Sequence, residues 1–160
     1  MELDVRTALI LRHPTEHQVL LLRRSPTKRL FPNLITGVGG KVELEQGEGL
    51  DLTASMWREF TEETTITPED IQDARLRLST VLSRDPLQVL LLWYTGRLTS
   101  LPADFSCTEG KLEFHPVAEL PLAQMIPTAR EAIPFILSLP NDEQRIHNGC
   151  FDADMRLITN

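Results

Sequence analysis

Three glutamates within residues 58–63 have the spacing of a metal-binding helix face. At 100° per helical residue, Glu59, Glu62 and Glu63 lie within one arc, so three carboxylates project from the same side of a helix. Like charges at these spacings repel by roughly 0.2–0.5 kcal/mol per pair, so the face is unfavourable unless a cation binds to it. A hard divalent metal ion is the natural occupant.

The helix that carries these carboxylates is predicted over residues 51–64. Met56, Trp57 and Phe60 form an apolar arc next to the acidic arc, so the metal-binding face borders the core. The stretch 34–42, which precedes this helix, has a strand-like pattern interrupted by glycines. Glycines there allow a backbone atom to approach a ligand closely.

The remaining elements are predicted from short apolar runs and turn residues. Further strands are expected at 5–11, 19–22, 74–83, 87–99 and 112–115, with an edge strand within 145–158. A second helix is expected at 129–139, capped by Thr128, with Pro134 causing a kink or a late start. Strands interleaved with two helices predict an α/β or α+β sandwich, in which helices cover a mixed sheet.

Length and composition favour a single domain over residues 1–160. The hydrophobic content of 41% is ordinary, and no apolar run approaches the roughly 18–20 residues that span a bilayer. The first residues lack the pattern of a secretory signal, so a cytoplasmic protein is expected. Cys107 and Cys150 are then expected to be free thiols. The net charge of −7 argues against a nucleic-acid polymer as partner.

The segment from Gly40 to Ile66 resembles the signature of the Nudix hydrolases. That signature is Gly, five residues, Glu, seven residues, then Arg-Glu-apolar-any-Glu-Glu-any-Gly-apolar. The residues that match in type are Gly40, Glu48, Arg58, Glu59, Phe60, Glu62, Glu63 and Ile66.

This chain departs from the signature in two ways. Seven residues separate Gly40 from Glu48, and nine separate Glu48 from Arg58, so the loop before the helix is longer than in the family. The final Gly is replaced by Thr65, a β-branched residue that suits the left-handed helix-ending conformation poorly. We therefore expect the longer loop to close over the same helix, and the helix to end in another way.

The resemblance implies a Mg²⁺ site, in which Mn²⁺ is able to replace Mg²⁺. The implied metal ligands are Gly40, through its carbonyl oxygen, Glu59, Glu62, Glu63 and Glu109. Glu109 would bind metal or help to activate water, and Arg58 would pair with an acidic neighbour such as Glu48. The implied substrate-binding residues are Arg23, Lys41, Asn33, Thr36 and Thr128. The basic stretch 23–33 is expected to be a loop facing a phosphate.

Residues 37–41 and 109–137 are also similar to the MutT-type oxidised-purine nucleoside triphosphatases within the family. Those relatives place an asparagine near the glycine strand and an acidic pair after a Met-x-Pro segment. Here the corresponding positions are Thr36 and Thr128-Ala129. The base-reading acids are thus missing, which predicts a different base preference.

The leading hypothesis is a Mg²⁺-dependent hydrolase of a phosphoanhydride in a nucleoside triphosphate or another nucleoside diphosphate derivative, with nucleotide-pool sanitation as one role. The alternatives are a pyrophosphatase of ADP-ribose or dinucleoside polyphosphates, and a Nudix-like module that senses a nucleotide without cleaving it. The expected partner is a small nucleotide, without a membrane. Monomer and homodimer both remain open, because an edge strand can pair with a second chain.

Overall fold

The strands of the computed structural model, which describes residues 1–160, form one mixed sheet. They are β1 (Glu2–Arg12), β2 (Gln18–Arg24), β3 (Ile35–Thr36), β4 (Ile71–Arg84), β5 (Leu87–Leu98), β6 (Gly110–Pro116), β7 (His147–Phe151) and β8 (Leu157–Thr159). Their order is β3-β2-β1-β5-β4-β7-β8, and β6 pairs with β2. The pairs β1–β5 and β4–β7 are parallel, while the remaining pairs are antiparallel.

Two helices, α1 (Leu52–Glu63) and α2 (Pro127–Ser138), cover opposite faces of this sheet. Successive side chains of β1 point to opposite faces of the sheet, which explains the two layers. Leu9 packs with the buried side chains of α1, whereas Ile10 packs with those of α2. From α1 the buried anchors are Met56 and Phe60. The predicted sandwich of helices on a mixed sheet is therefore confirmed.

The predicted cap of α2 by Thr128 is wrong. The helix begins at Pro127, and its N-cap residue is Ile126, which makes no side-chain capping hydrogen bond. Proline suits the first helical position because its φ is already helical and no amide hydrogen is needed there. The Ile126 amide instead donates to the Ile35 carbonyl at 2.9 Å, which ties the start of α2 to β3. Pro134 lies inside the helix, so the late start is also wrong.

The glycine stretch after β3 continues as isolated pairing with β1 rather than as a long strand. Val38 and Leu9 exchange backbone hydrogen bonds at 2.6 and 3.1 Å, and the Thr7 amide donates to the Gly40 carbonyl at 3.0 Å. The chain thus crosses from β2 to β1 and carries Gly40 to the middle of the sheet. At the other end, residues 145–158 supply two strands, and β8 lies at the edge.

No helix in the structure has the length and apolar character needed to cross a membrane. Both cysteines are free, as predicted.

Candidate active site

Gly39 and Gly40 bring the backbone into contact with β1 on one side and with α1 on the other. A Cβ atom added to Gly39 would lie 2.6 Å from the Thr7 carbonyl carbon, so no side chain fits against β1. A Cβ atom added to Gly40 would lie 2.5 Å from the carboxyl carbon of Glu59. Both glycines are therefore required by close approach, and Gly40 lies directly against a carboxylate of the helix.

Glu59 and Glu63 form the centre of the site. They are one turn apart on α1, and hydrogen bonding between their carboxyl groups is one of the effects that raise the pKa of Glu63 to about 7. The largest cause is burial, and the second is the negative charge of Glu59. Glu63 Oε2 is buried and has no hydrogen-bond partner in the protein. A partly buried carboxylate pair in which one oxygen has no partner is unfavourable until a cation or proton neutralises it.

Arg58 fixes the positions of acidic side chains on and next to α1. Its guanidinium contacts Glu48, reaches Glu59 at 2.7 Å and reaches Glu62 at 2.9 Å. Hydrogen bonds from Arg58 are the largest of the effects that hold the pKa of Glu48 down at about 2. The predicted pairing of Arg58 with Glu48 is present in the structure, and it extends to two of the glutamates on the helix.

The longer loop folds into two single-turn 3₁₀ helices, Leu44–Gln46 and Glu48–Leu50, joined by Gly47 at a φ of 84°. Despite the extra residues, the Glu48 carboxylate accepts from the Glu43 amide at 2.6 Å and from the Ser55 hydroxyl at 3.0 Å. The loop therefore closes over α1, as expected from the sequence.

The end of α1 differs from the ending at glycine that the family signature specifies. Thr64 is extended, with a φ of −120°, and its hydroxyl donates to the Phe60 carbonyl at 3.0 Å. Thr65 then pairs with Ser106: the Thr65 amide donates to the Ser106 carbonyl at 3.1 Å, and the Ser106 amide donates to the Thr65 hydroxyl at 2.9 Å. The helix ends in another way, as expected, and this pairing docks the loop that carries Glu109.

Glu109 follows a residue that is bonded to the end of α1, but its own side chain is engaged with a lysine. Its carboxylate contacts Lys28, and its carbonyl accepts from the Ser25 amide at 3.0 Å. The preceding residue, Thr108, donates its amide to the Glu63 carbonyl at 2.8 Å. A metal-binding or water-activating role for Glu109 stays a prediction.

The donors present fit a hard divalent cation, although three carboxylates do not lie together. No group of three or more His, Cys, Asp or Glu side chains is arranged to hold a metal ion. The Glu62 side chain is turned to Arg58 and is 59% exposed. Glu59 and the unpartnered Glu63 Oε2, with the Gly40 backbone packed against Glu59, offer oxygen atoms, the donors that Mg²⁺ prefers. The metal-ligand role of all three glutamates stays a prediction.

A cavity of about 270 Å³ opens beside Gly39 and Gly40. Its charged lining residues are Asp4, Arg6, Arg24 and Arg84, and its apolar and aromatic lining includes Phe31, Leu91, Trp93 and Ile126. Such a combination of a large apolar wall with a few charged groups is typical of a small-molecule site.

The substrate-binding residues predicted from the sequence divide into two groups. Thr36 and Thr128 line the cavity, whereas Arg23, Asn33 and Lys41 do not. The guanidinium of Arg23 donates to Glu113 at 2.7 Å, to the Asn33 carbonyl at 3.0 Å and to the Gln124 side chain at 2.9 Å. Asn33 occupies a turn with a φ of 62°, a conformation that asparagine tolerates. Their roles with substrate stay predictions.

Arg24, which the sequence reasoning missed, lines the cavity in place of its neighbour Arg23. Burial lowers the pKa of Arg24, as does the charge of Arg6, while the charge of Glu63 opposes the shift. Alternation along β2 places Arg24 on the α1 side of the sheet, with Leu22. Arg6 and Arg84 were missed because β1 and β4 are distant along the chain and come close only in the folded sheet, on either side of β5.

The mixed sheet, the two helices that cover it and the contact of Gly40 with Glu59 together define a Nudix fold. The sequence pattern of the NUDIX domain family matches residues 3–136, so this chain belongs to the Nudix family. The prediction of a Nudix hydrolase is thereby confirmed as the class of enzyme.

Solved structures agree with this assignment of the fold. The chain is similar to the MutT protein of Bacillus halodurans, with 21% identity, a TM-score of 0.62 and coverage of 97% of this chain and 94% of that chain. A Nudix hydrolase of Nitrosomonas europaea is 17% identical, with a TM-score of 0.68 and coverage of 94% and 80%. An Ap4A hydrolase of Caenorhabditis elegans is 16% identical, with a TM-score of 0.60 and coverage of 84% and 92%. Among curated protein sequences, none matches this chain.

Proposed function

We propose that residues 1–160 form one domain that hydrolyses a phosphoanhydride bond of a nucleoside triphosphate or another nucleoside diphosphate derivative, with Mg²⁺ as the metal. The observation that carries this proposal is the partly buried Glu59–Glu63 pair, packed against Gly40 at the edge of a cavity of about 270 Å³. The substrate is a small nucleotide rather than a nucleic-acid polymer.

Glu59, Glu63 and the Gly40 carbonyl would hold the cation in this proposal. When bound, Mg²⁺ neutralises phosphate oxygens and makes a bound water more acidic. Arg58 keeps Glu59 in place by its contact at 2.7 Å. Arg24 and Arg6 contribute positive charge to the cavity, which attracts the phosphates to the carboxylate face.

The far wall of the cavity would receive the base. It has Thr36 and Thr128 where MutT-type relatives place polar base-reading residues, and Trp93 and Ile126 supply apolar surface. Trp93 is fixed there, since its indole nitrogen donates to the Thr80 hydroxyl at 2.9 Å.

Asp4 is the only carboxylate among the residues that line the cavity. Its Oδ2 accepts from Arg6 at 2.9 Å, whereas its Oδ1 is buried and has no hydrogen-bond partner. A buried acceptor without a donor costs about 1–3 kcal/mol, and a donor on the substrate would recover this cost. We therefore propose that Asp4 Oδ1 accepts an N–H group of the base.

A substrate panel with Mg²⁺ and with Mn²⁺ tests the proposed function. The panel contains canonical and oxidised nucleoside triphosphates, ADP-ribose and dinucleoside polyphosphates, and release of phosphate, pyrophosphate and nucleoside monophosphate is measured. Glu59→Gln and Glu63→Gln are expected to abolish metal-dependent turnover while the fold remains intact. The matched control is Glu69→Gln, because Glu69 is exposed in the 3₁₀ helix Pro68–Asp70. Turnover that survives both active-site substitutions contradicts the proposal, and tight binding without turnover favours a nucleotide sensor.

A further inference from the structure

Four arginines converge at the end of the sheet that lies away from the cavity. Arg12 ends β1, Arg97 lies near the end of β5, and Arg75 and Arg77 lie in the first half of β4. Together they line a small polar pocket that contains no hydrophobic residue. Arg12 is four residues beyond Ala8, which lines the large cavity, so along β1 the two sites are about 13 Å apart.

The arginines of this pocket have too few carboxylate partners. Arg97 is 3.6 Å from Glu16, but Arg12, Arg75 and Arg77 form no ion pair with any carboxylate. Arg77 is only 2% exposed, and a charge buried to this extent is ordinarily paired. The Nε atoms of both Arg75 and Arg77 are buried without a hydrogen-bond partner. The protein as a whole carries a net charge of −7, so this local excess of positive charge contrasts with the chain as a whole.

The end of α2 neutralises only part of this charge. Arg12 donates to the Leu137 carbonyl at 3.3 Å, Arg77 donates to the Pro140 carbonyl at 3.0 Å, and Arg75 contacts the Asn141 carbonyl. The carboxyl end of a helix is equivalent to about half a negative charge, whereas three guanidinium groups are unpaired.

The two carboxylates near Arg77 do not neutralise the remaining positive charge. Asp73 lines the pocket without pairing with an arginine, and the Glu143 carboxylate is hydrogen-bonded to His147 at 2.8 Å. Burial is the main cause that lowers the pKa of Arg77, the charges of Arg75 and Arg12 lower it further, and the charge of Glu143 opposes the shift.

We propose that this arginine pocket is a second binding site, and that its ligand is a single phosphate-sized oxyanion, either free phosphate or the phosphoryl group of a small metabolite. The pocket volume of about 40 Å³ exceeds the space of one water molecule and is far below that of the large cavity. It therefore has room for one tetrahedral anion and not for the base and ribose of a nucleotide. The free Nε–H groups of Arg75 and Arg77 are the donors that such an anion satisfies. This site is independent of the function proposed for the carboxylate face.

Calorimetric titration of the metal-free protein with inorganic phosphate, at low ionic strength and with a chelator present, tests the site. Saturable binding of one phosphate per chain is expected. Arg75→Gln and Arg97→Gln, both at partly exposed positions, are each expected to weaken binding by on the order of tenfold, the effect of one charge-assisted hydrogen bond. Arg130→Gln, an exposed position in the first turn of α2, is the matched control and is expected to leave binding unchanged.

Arg84→Gln separates the two sites, because Arg84 lines only the large cavity. Phosphate binding that is lost in Arg84→Gln but kept in Arg75→Gln places the anion in the large cavity and overturns the proposal. Absence of saturable binding of both phosphate and glycerol 3-phosphate overturns it as well. Tighter binding of glycerol 3-phosphate than of inorganic phosphate identifies a phosphorylated metabolite as the ligand, while the reverse identifies the free anion. Thermal melting of each variant verifies that it is folded.

Discussion

Replacing Gly40 with alanine is expected to damage catalysis while sparing the fold. The new Cβ would lie 2.5 Å from the Glu59 carboxyl carbon, whereas carbon atoms in contact prefer about 3.5–4.0 Å. The carboxylate of Glu59 must therefore move by about 1 Å. A misplacement of this size in a catalytic constellation costs roughly 100-fold, so we expect kcat/KM to fall by about that factor. The metal concentration for half-maximal activity should rise as well.

The stability cost of the same substitution should be small. Only a side chain has to move, and the Arg58–Glu59 contact that it disturbs is a partly exposed ion pair worth at most about 1 kcal/mol. Gly40 also has no positive φ, so alanine is compatible with its backbone. Thermal melting monitored by circular dichroism should therefore give nearly the wild-type Tm.

Two glycine substitutions provide the controls. In Gly39→Ala the Cβ would lie 2.6 Å from the Thr7 carbonyl carbon and 2.8 Å from the Ala8 Cα, both in the backbone of β1, so a large fall in Tm is expected. In Gly49→Ala the Cβ would meet only the end of the Leu44 side chain, at 3.0 Å, so activity and Tm should stay near wild type. Wild-type kinetics and metal dependence in Gly40→Ala would refute the assignment of this glycine to the metal site.

Three further predictions concern the charged groups of the site. Arg24→Met should raise KM by about tenfold through loss of a phosphate contact, whereas Arg23→Met should mainly lower Tm, because Arg23 is bonded within the protein; steady-state kinetics and melting distinguish the two. Asp4→Asn should change the ranking of bases in the substrate panel, since its free Oδ1 acceptor is altered; an unchanged ranking contradicts this role. The pKa of Glu63 is raised from 4.5 to about 7 in the fold, so its contribution to stability is complete below 4.5 and is lost as pH rises through about 7. The Tm of the metal-free protein should accordingly fall between about pH 5 and pH 8, and Glu63→Gln should remove this part of the pH dependence.

Local patterns in the sequence were sufficient to predict most of the helices and strands and the class of enzyme. The apolar arc of Met56 and Phe60 fixed the position of α1, because helical periodicity depends only on neighbouring residues. The same helix placed Glu59 and Glu63 one turn apart. The glycine stretch before it had to be a point of close approach, and Gly39 and Gly40 do contact β1 and Glu59.

Local patterns failed where contacts between distant segments override them. Thr128 has the chemistry of a helix cap, but the Ile126 amide is bonded to Ile35 and Pro127 takes the first helical position. Arg23 and Arg24 are adjacent and chemically identical in the sequence, and only their contacts in the folded chain separate them: Arg23 is bonded to Glu113 and Gln124, whereas Arg24 lines the cavity.

The sequence alone therefore determined the helix, the arc of glutamates on it and the class of enzyme, since these depend on spacings within about a dozen residues. The tertiary structure decided which arginines and which carboxylate line the cavity, and where the four remote arginines meet. Those arrangements depend on strand order: β1, β4 and β5 are distant along the chain, and only their pairing brings Asp4, Arg84 and Trp93 into one cavity and Arg12, Arg77 and Arg97 into another.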